Sequence, residues 1–447
     1  MTVPIFMMAA DATIVATALD ALQRGLHTSI GWTAWTITAY SLGFVVMLPV
    51  SGKLSQRYGR KRVFMASLAT FTTASLLCGL TSNIYLLIAL RALQAIGGAG
   101  FTPSATGIIV DHFGDARDRA VALLGSMFPT GALIGPVLGG LIVSYWSWRG
   151  AFFINVPIGI AIGWIAWRHI PADQRRDVEA RADEKSGMDF PGVALLGAGL
   201  LAAMLAASTI SDRHASDAPL LFVGLCVAAL AALSAFFRHI RRTARPFILP
   251  RFIYGKDFGA VNLFNALYGG ATAGVITLVP LYATRRYALD TLASGTLLSA
   301  QGAATIVMTV IAALALRRTG HRLPLYAGGA LIGVGTLLLA LPPLVGIPAY
   351  AWLALSTFVI GIGFGAIDPA SRNAGLQLAP QSASMLAALR TMCFQLGTIV
   401  TVSIVAALLV GAGGSALAQA WFYAAAAAIF VLALPMVALI PEHHGSW

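Results

Sequence analysis

Long apolar runs alternate with short polar stretches from one end of the chain to the other. The first continues through Leu22, and five more follow near 32–51, 63–81, 84–110, 120–144 and 150–169. Two further runs lie at about 189–209 and 218–238, and a last six at about 257–281, 291–316, 323–342, 348–370, 384–410 and 416–440. About 20 predominantly apolar residues in an α-helix cross the hydrocarbon core of a bilayer, so each run predicts one transmembrane helix. The grouping of six, two and six predicts an all-α integral membrane protein with 14 transmembrane helices. Its expected parts are a six-helix bundle over 1–170, two inserted helices with linkers over 171–250, and a second six-helix bundle over 251–447. The first run has no basic start and no small-residue cleavage site, so it reads as the first span rather than as a signal peptide.

Composition narrows the class. Of 447 residues, 58% are hydrophobic and 10% charged, against about a quarter charged in soluble domains. A soluble enzyme, a secreted disulfide scaffold and a disordered chain are excluded. The net charge of +12 would suggest nucleic acid in a soluble protein, but here its distribution gives another explanation. With the N-terminus inside, 22 of the 29 Lys and Arg fall in inner loops, as the positive-inside rule requires. Both termini are then cytoplasmic, and no nucleic-acid partner is implied. Cys78, Cys226 and Cys393 all lie within apolar runs and suggest neither a disulfide framework nor a metal site. A basic stretch after span two (Gly52 to Val63) has a degraded copy after span ten (Leu316 to Leu323), the kind of internal repeat that marks carriers built from two like bundles.

Candidate chemistry is confined to a few positions, because an ionisable group at membrane depth is costly and marks function by default. Asp11 lies in the middle of span one, and Arg91 is placed in the inner half of span four. Desolvation and a nearby guanidinium pull a carboxylate's proton affinity in opposite directions, so Asp11 with Arg91 forms a candidate proton-coupling pair. The competing reading is a buried structural contact. Asp20 follows Asp11 by nine residues, about 900° along an unbroken helix and hence on the opposite side. Asp20, Asp368 and Arg390 are candidates for the substrate path. For Asp368, ahead of Pro369, a cap or loop contact is the alternative; for Arg390, pairing with a backbone carbonyl or with a carboxylate. In span five, Gly131, Gly135 and Gly139 recur every four residues beside Pro136 and Gly140. Small residues at that spacing let helices approach closely, while Pro136 withdraws a backbone donor and favours a kink.

At these positions the chain resembles the major facilitator superfamily, and within it the fourteen-span drug:proton antiporters. Gly52 to Val63, with Gly59 and Arg60, is similar to the superfamily's loop motif. Arg91 to Gly97 resembles the span-four motif and Gly131 to Gly140 the antiporter motif of span five; Asp11 to Val15 and Trp148 to Gly159, including Asn155, resemble stretches typical of fourteen-span members. The resemblance implies a major facilitator fold and proton-driven export of amphiphilic drugs or toxic compounds by alternating access. Arg91 would assist proton transfer and the span-five motif would seal the interface between bundles. A dedicated exporter of one metabolite or antibiotic is the alternative.

The implied energy source is the proton gradient, without a cofactor or metal. The implied surroundings are a bacterial-type inner membrane, small amphiphilic substrates and protons, with any outer-membrane partner left open. Two departures stand out. Gln56 occupies the loop motif's acidic position, leaving Arg60 and Asp111 as the partners of its charge latch, and Asp20 stands where many relatives have proline. Ala122 also replaces the glycine that begins the longer span-five motif. Span ten lacks an acid, which points away from divalent cations and leaves Asp11, Asp20 and Asp368 to attract a monovalent one. Phe44, Met127, Phe128, Asn262, Asn265, Tyr268, Gln301 and Phe394 are candidates to line an adaptable pocket. A membrane-embedded enzyme needs convergent acid and base groups, whereas all eight histidines are assigned to loops or the tail.

Overall fold

The computed structural model describes residues 2–28, 30–171, 189–210, 218–244, 246–255, 258–289, 291–376, 379–411, 416–440 and 442. Every regular element among them is helical. The first bundle comprises α1 (Thr2–Thr17), α2 (Leu19–Gly25), α3 (Ile30–Tyr58), α4 (Arg60–Leu80), α5 (Ile84–Gly98), α6 (Phe101–His112), α7 (Arg117–Tyr145), α8 (Gly150–Phe153) and α9 (Asn155–His169). The insert contributes α10 (Phe190–Ile210) and α11 (Ala218–Arg242), followed by the short α12 (Pro250–Tyr254). The second bundle comprises α13 (Phe258–Gly269), α14 (Val275–Thr277), α15 (Val279–Tyr287), α16 (Thr291–Thr319), α17 (Arg322–Ala340), α18 (Ala349–Ala374), α19 (Ala383–Gly411) and α20 (Ala416–Ala433).

Among the described residues, eleven helices are long and apolar enough to cross a bilayer. The expected spans one, seven and nine depart from that picture. Span one breaks at Ala18, between α1 and α2, so the angular argument that set Asp20 opposite Asp11 fails at that break. Span seven is a shorter apolar helix over Phe190–Ala206. Span nine carries a π-helical turn at Gly270–Gly274, a distortion that recurs at functional sites. Span four is also divided, at Ala99 and Gly100.

Small residues set the helix spacing, as expected where lipid supplies no hydrophobic drive for association. A methyl group placed on Gly131 would meet the carbonyl of Phe6, one on Gly135 would meet Thr13 Oγ1, and one on Gly139 would meet Thr17 Oγ1. The glycine stripe of α7 therefore packs on α1, inside the first bundle. In the second bundle, Gly361 and Gly365 of α18 lie against the backbone of α16 at Gln301 and Thr305, and Gly328 of α17 faces Gly363. The bundles meet along other faces: Gly52 of α3 against Ala388 and Met385 of α19, Gly107 of α6 against Ser384, Gly125 of α7 against Asp368 and Arg372, and Leu133 of α7 against Gly302.

The insert is more than a lipid-facing spacer. Helix α11 is exposed at Leu220, Leu221, Val223, Val227 and Leu230, as such a spacer would be. Helix α10 instead packs on both α3 and α19, and Leu196 and Leu200 join one apolar cluster with Leu48 and Met385. The basic linker residues expected at 175–185, together with Arg213, Arg245 and Lys256, lie outside the described residues.

Asp189 ties the insert together ahead of α10. It accepts hydrogen bonds from the amides of Gly192 (3.0 Å) and Phe247 (3.2 Å) and contacts His239 Nε2 at 2.7 Å. His239 thus belongs to a helix, not to the loop expected for it. Burial opposes the Asp189 charge, but the bonds from His239, Gly192 and Phe247 outweigh it and hold the carboxyl below its ordinary range. A depressed carboxylate stabilises the fold above its unfolded value and loses that contribution as pH falls. Asp189→Asn is therefore expected to lower the thermal midpoint at pH 7, with the gap to wild type closing below about pH 4. Thermal unfolding in detergent at the two pH values checks this, and a pH-independent gap would contradict it.

Candidate functional site

Asp11 is fully buried on α1, and donors converge on it from two other helices. Arg91 and Gln94 are three residues apart on α5 and so share a face. Arg91 Nη1 lies 2.6 Å from Asp11 Oδ2, and Gln94 Nε2 donates to Oδ1 at 3.0 Å. Asn155, the first residue of α9, donates to the same oxygen at 2.7 Å. Gln94 also donates to Ser75 Oγ at 2.7 Å and accepts from Arg91 Nη1 at 2.5 Å. The guanidinium sits 4.2 Å from the Tyr40 ring centroid and 5.7 Å from that of Phe152, distances at which a cation is attracted to a ring face. This is a buried, hydrogen-bonded ion pair with one carboxylate. Arg91 lies eight residues into a helix that starts at Ile84, away from the basic loop end. That places it in the first half of span four, towards the α4–α5 connection; with the N-terminus inside, as the loop charge suggests, this is the outer half rather than the inner half expected.

A second charged cluster lies between the bundles. Asp368 on α18 pairs with Arg372 one turn later, Nε to Oδ2 at 2.8 Å, and with Arg390 of α19, Nη2 to Oδ1 at 2.7 Å. Arg390 also donates to Ser371 Oγ from Nη2 at 2.7 Å and from Nε at 3.1 Å. Of the alternatives for Arg390, the carboxylate is the one realised; Asp368 serves as an ion-pair partner rather than a cap. These charges line a cleft of about 550 Å³, measured with its mouth, whose walls include Phe44 and Phe128 from the first bundle and Phe364 and Phe394 from the second. Met8 of α1 lines it as well, one helical turn before Asp11, so α1 runs from the first ion pair to the wall of this cleft.

Arg60 is buried at the start of α4, where it pairs with Asp111 Oδ2 at 2.8 Å and donates to the Gly107 carbonyl. Gly59 precedes it at φ +101°, a conformation open to glycine that reverses the chain between α3 and α4. The substituted position, Gln56, is exposed, and the Arg60–Asp111 contact forms regardless. Gly52 and Gly107 bring this region against Ser384 of α19, so the bundles are closed at the basic end.

Of the predicted residues, the structure joins Asp11 with Arg91, Asp368 with Arg390, and Arg60 with Asp111. Asp20 is helical in α2 and Pro136 helical in α7, but their side chains lie outside the described ones. A monovalent cation finds neither Asp11 nor Asp368 available, since each is already paired with arginine. Among the pocket candidates, Phe44, Phe128 and Phe394 line the cleft. Tyr268 is buried behind it, stacked 5.2 Å from Phe364, whereas Gln301 bonds Thr305 and Asn265 bonds the Val261 carbonyl. Ser75 and Tyr40 escaped the sequence reading, and Gln94 and Asn155 entered it only within family-like stretches, not as partners of Asp11. Arg372 escaped it as an inner-loop residue, although α18 continues through Ala374 and carries it into the cleft.

Two helical bundles around a central cleft, with ion pairs buried among helices long and apolar enough to cross a bilayer, are the arrangement of a multi-pass membrane protein. Residues 2–402 match the family model of the Major Facilitator Superfamily, and the chain belongs to that family. It is 30% identical over 369 residues to an MFS-type transporter of Mycobacterium tuberculosis, a match covering 81% of this chain and 51% of that protein. It is 27% identical over 372 residues to Multidrug resistance protein 3 of Bacillus subtilis, covering 83% and 71% respectively. The chain thus spans about half the length of the first of these relatives. The fold is similar to that of the human organic anion transporter MFSD10, with a TM-score of 0.66, 16% identity and 98% of each chain covered.

Proposed function

We propose that the chain exports amphiphilic compounds in exchange for protons by alternating access, in the manner of the fourteen-span drug:proton antiporters, from a bacterial-type inner membrane. The observation that carries this reading is the buried Asp11–Arg91 pair one helical turn from a cleft residue, Met8. Protonation turns Asp11 from acceptor to donor and weakens its hold on Arg91. That exchange is local to α1, which contacts both the ion pair and the substrate cleft. The multidrug naming of the Bacillus subtilis relative supports an amphiphilic cargo, as do the aromatic walls. The proton gradient is the energy source, with no cofactor required. In proteoliposomes, an amphiphilic fluorescent substrate should move against its concentration gradient only while a proton gradient is imposed. Equal rates with and without that gradient would overturn the reading.

A further inference from the structure

We propose that the cleft takes amphiphilic organic anions, molecules with one carboxylate, sulfonate or phosphate head and an aromatic body. The assignment rests on the export reading of the same cleft and adds its substrate class. Two guanidiniums line this space against one carboxylate. Both oxygens of Asp368 are taken, one by each arginine. Arg372 donates through Nε, and Arg390 through Nε and Nη2. The two terminal nitrogens of Arg372 and Nη1 of Arg390 therefore have no acceptor among the described residues.

The remaining charge is one positive. The neighbouring membrane-depth pair does not offset it, because Asp11 is matched by Arg91. The surplus positive charge faces the open cleft, where an anionic head would pair with it. The planar guanidinium fork suits two oxygens of one carboxylate or phosphate. Around the charge, Phe44 and Phe128 face Phe364 and Phe394 across the cleft, and the latter two rings stand 6.1 Å apart at 73°. These rings offer faces on which a flat apolar body can stack, with Thr391 and Gln395 nearby as neutral polar contacts. A cationic amphiphile meets the same rings but is opposed by the surplus charge, so the site discriminates by repulsion as well as attraction.

The test compares 1-naphthoate with 1-naphthylmethylammonium, which share one aromatic body, on the full chain purified in neutral detergent. Isothermal titration should detect the anion and not the cation. Arg372→Gln should weaken the anion by about tenfold to a hundredfold, the loss expected for a charge-assisted hydrogen bond, and Arg372→Lys should lose less. Should Arg372→Gln fail to elute as a single species, Arg372→Lys and Arg390→Lys carry the comparison. Naphthoate affinity should also fall when phosphatidylglycerol is added if an anionic lipid head uses the same site, and should stay constant if the occupant arrives from solution; either result keeps the anion. Cation binding without anion binding, or anion affinity indifferent to every arginine variant, would overturn the assignment. Gradient-driven transport of naphthylmethylammonium would then leave the export reading standing, whereas binding of naphthoate with no gradient-driven movement of any substrate would sink the export reading alone.

Discussion

Asp11→Asn is expected to abolish proton-driven accumulation in proteoliposomes and to lower stability by about 3–5 kcal/mol, the usual cost of removing one partner of a buried ion pair. The asparagine can keep partners in Gln94 and Asn155, but the Arg91 charge is left without its counter-ion. Stability and coupling are separated by the double variant Asp11→Asn with Arg91→Gln. Removing both charges should recover most of the lost stability, since a neutral hydrogen-bonded cluster leaves no orphaned ion. Proton-driven transport should not return, because no carboxylate remains there. Passive exchange of substrate across the vesicle membrane, which needs no proton, should survive in the double variant. If the double variant regained uphill transport, Asp11 would be a structural contact and the coupling group would lie elsewhere.

Gly135→Ala should destabilise the chain by about 1–3 kcal/mol, the range for overpacking a well-filled contact. The added methyl would collide with Thr13 Oγ1 and stand 2.9 Å from the Ala10 carbonyl oxygen. Thr13 is held in place by bonds to the carbonyls of Ala9 (3.2 Å) and Ala10 (3.0 Å), so it does not swing aside freely. Adding Thr13→Ala should recover part of the loss but not all, because the backbone of Ala10 remains. Gly140, in the same motif, has nothing within 4 Å of a new methyl. Gly140→Ala should therefore be neutral or stabilise by up to about 1 kcal/mol through helix propensity. Thermal unfolding of the variants in detergent decides the matter: equal effects at the two positions would show that the stripe is not a packing surface.

These contrasts show where the sequence was informative. Apolar runs announced the helices, because bilayer thickness imposes a length on each span. Asp11, Arg91, Asp368 and Arg390 stood out because a charge at membrane depth needs a reason. The neutral members of the same cluster did not, since Gln94, Asn155 and Ser75 are unremarkable until three helices bring them to one carboxylate. Arg372 was hidden differently. Hydropathy ended span twelve at about 370, whereas the ion pair to Asp368, four residues earlier, lies on a helix running four residues further. The break at Ala18 and the π-helical turn were also illegible, for both depend on packing between helices rather than on local composition. The span-five glycines were recognised, yet their partner was not: spacing announces a close approach without naming the helix that makes it.

The inserted helix α10 has a kinematic consequence. Touching α3 of one bundle and α19 of the other, it straps a single seam and leaves the seam between α7 and α16 unstrapped. A hinge reinforced along one edge opens like a book, so the spine lies under the strap and the widest excursion belongs to the opposite edge. Cargo entering or leaving would then pass beside α7 and α16, where Leu133 fills the hollow above Gly302.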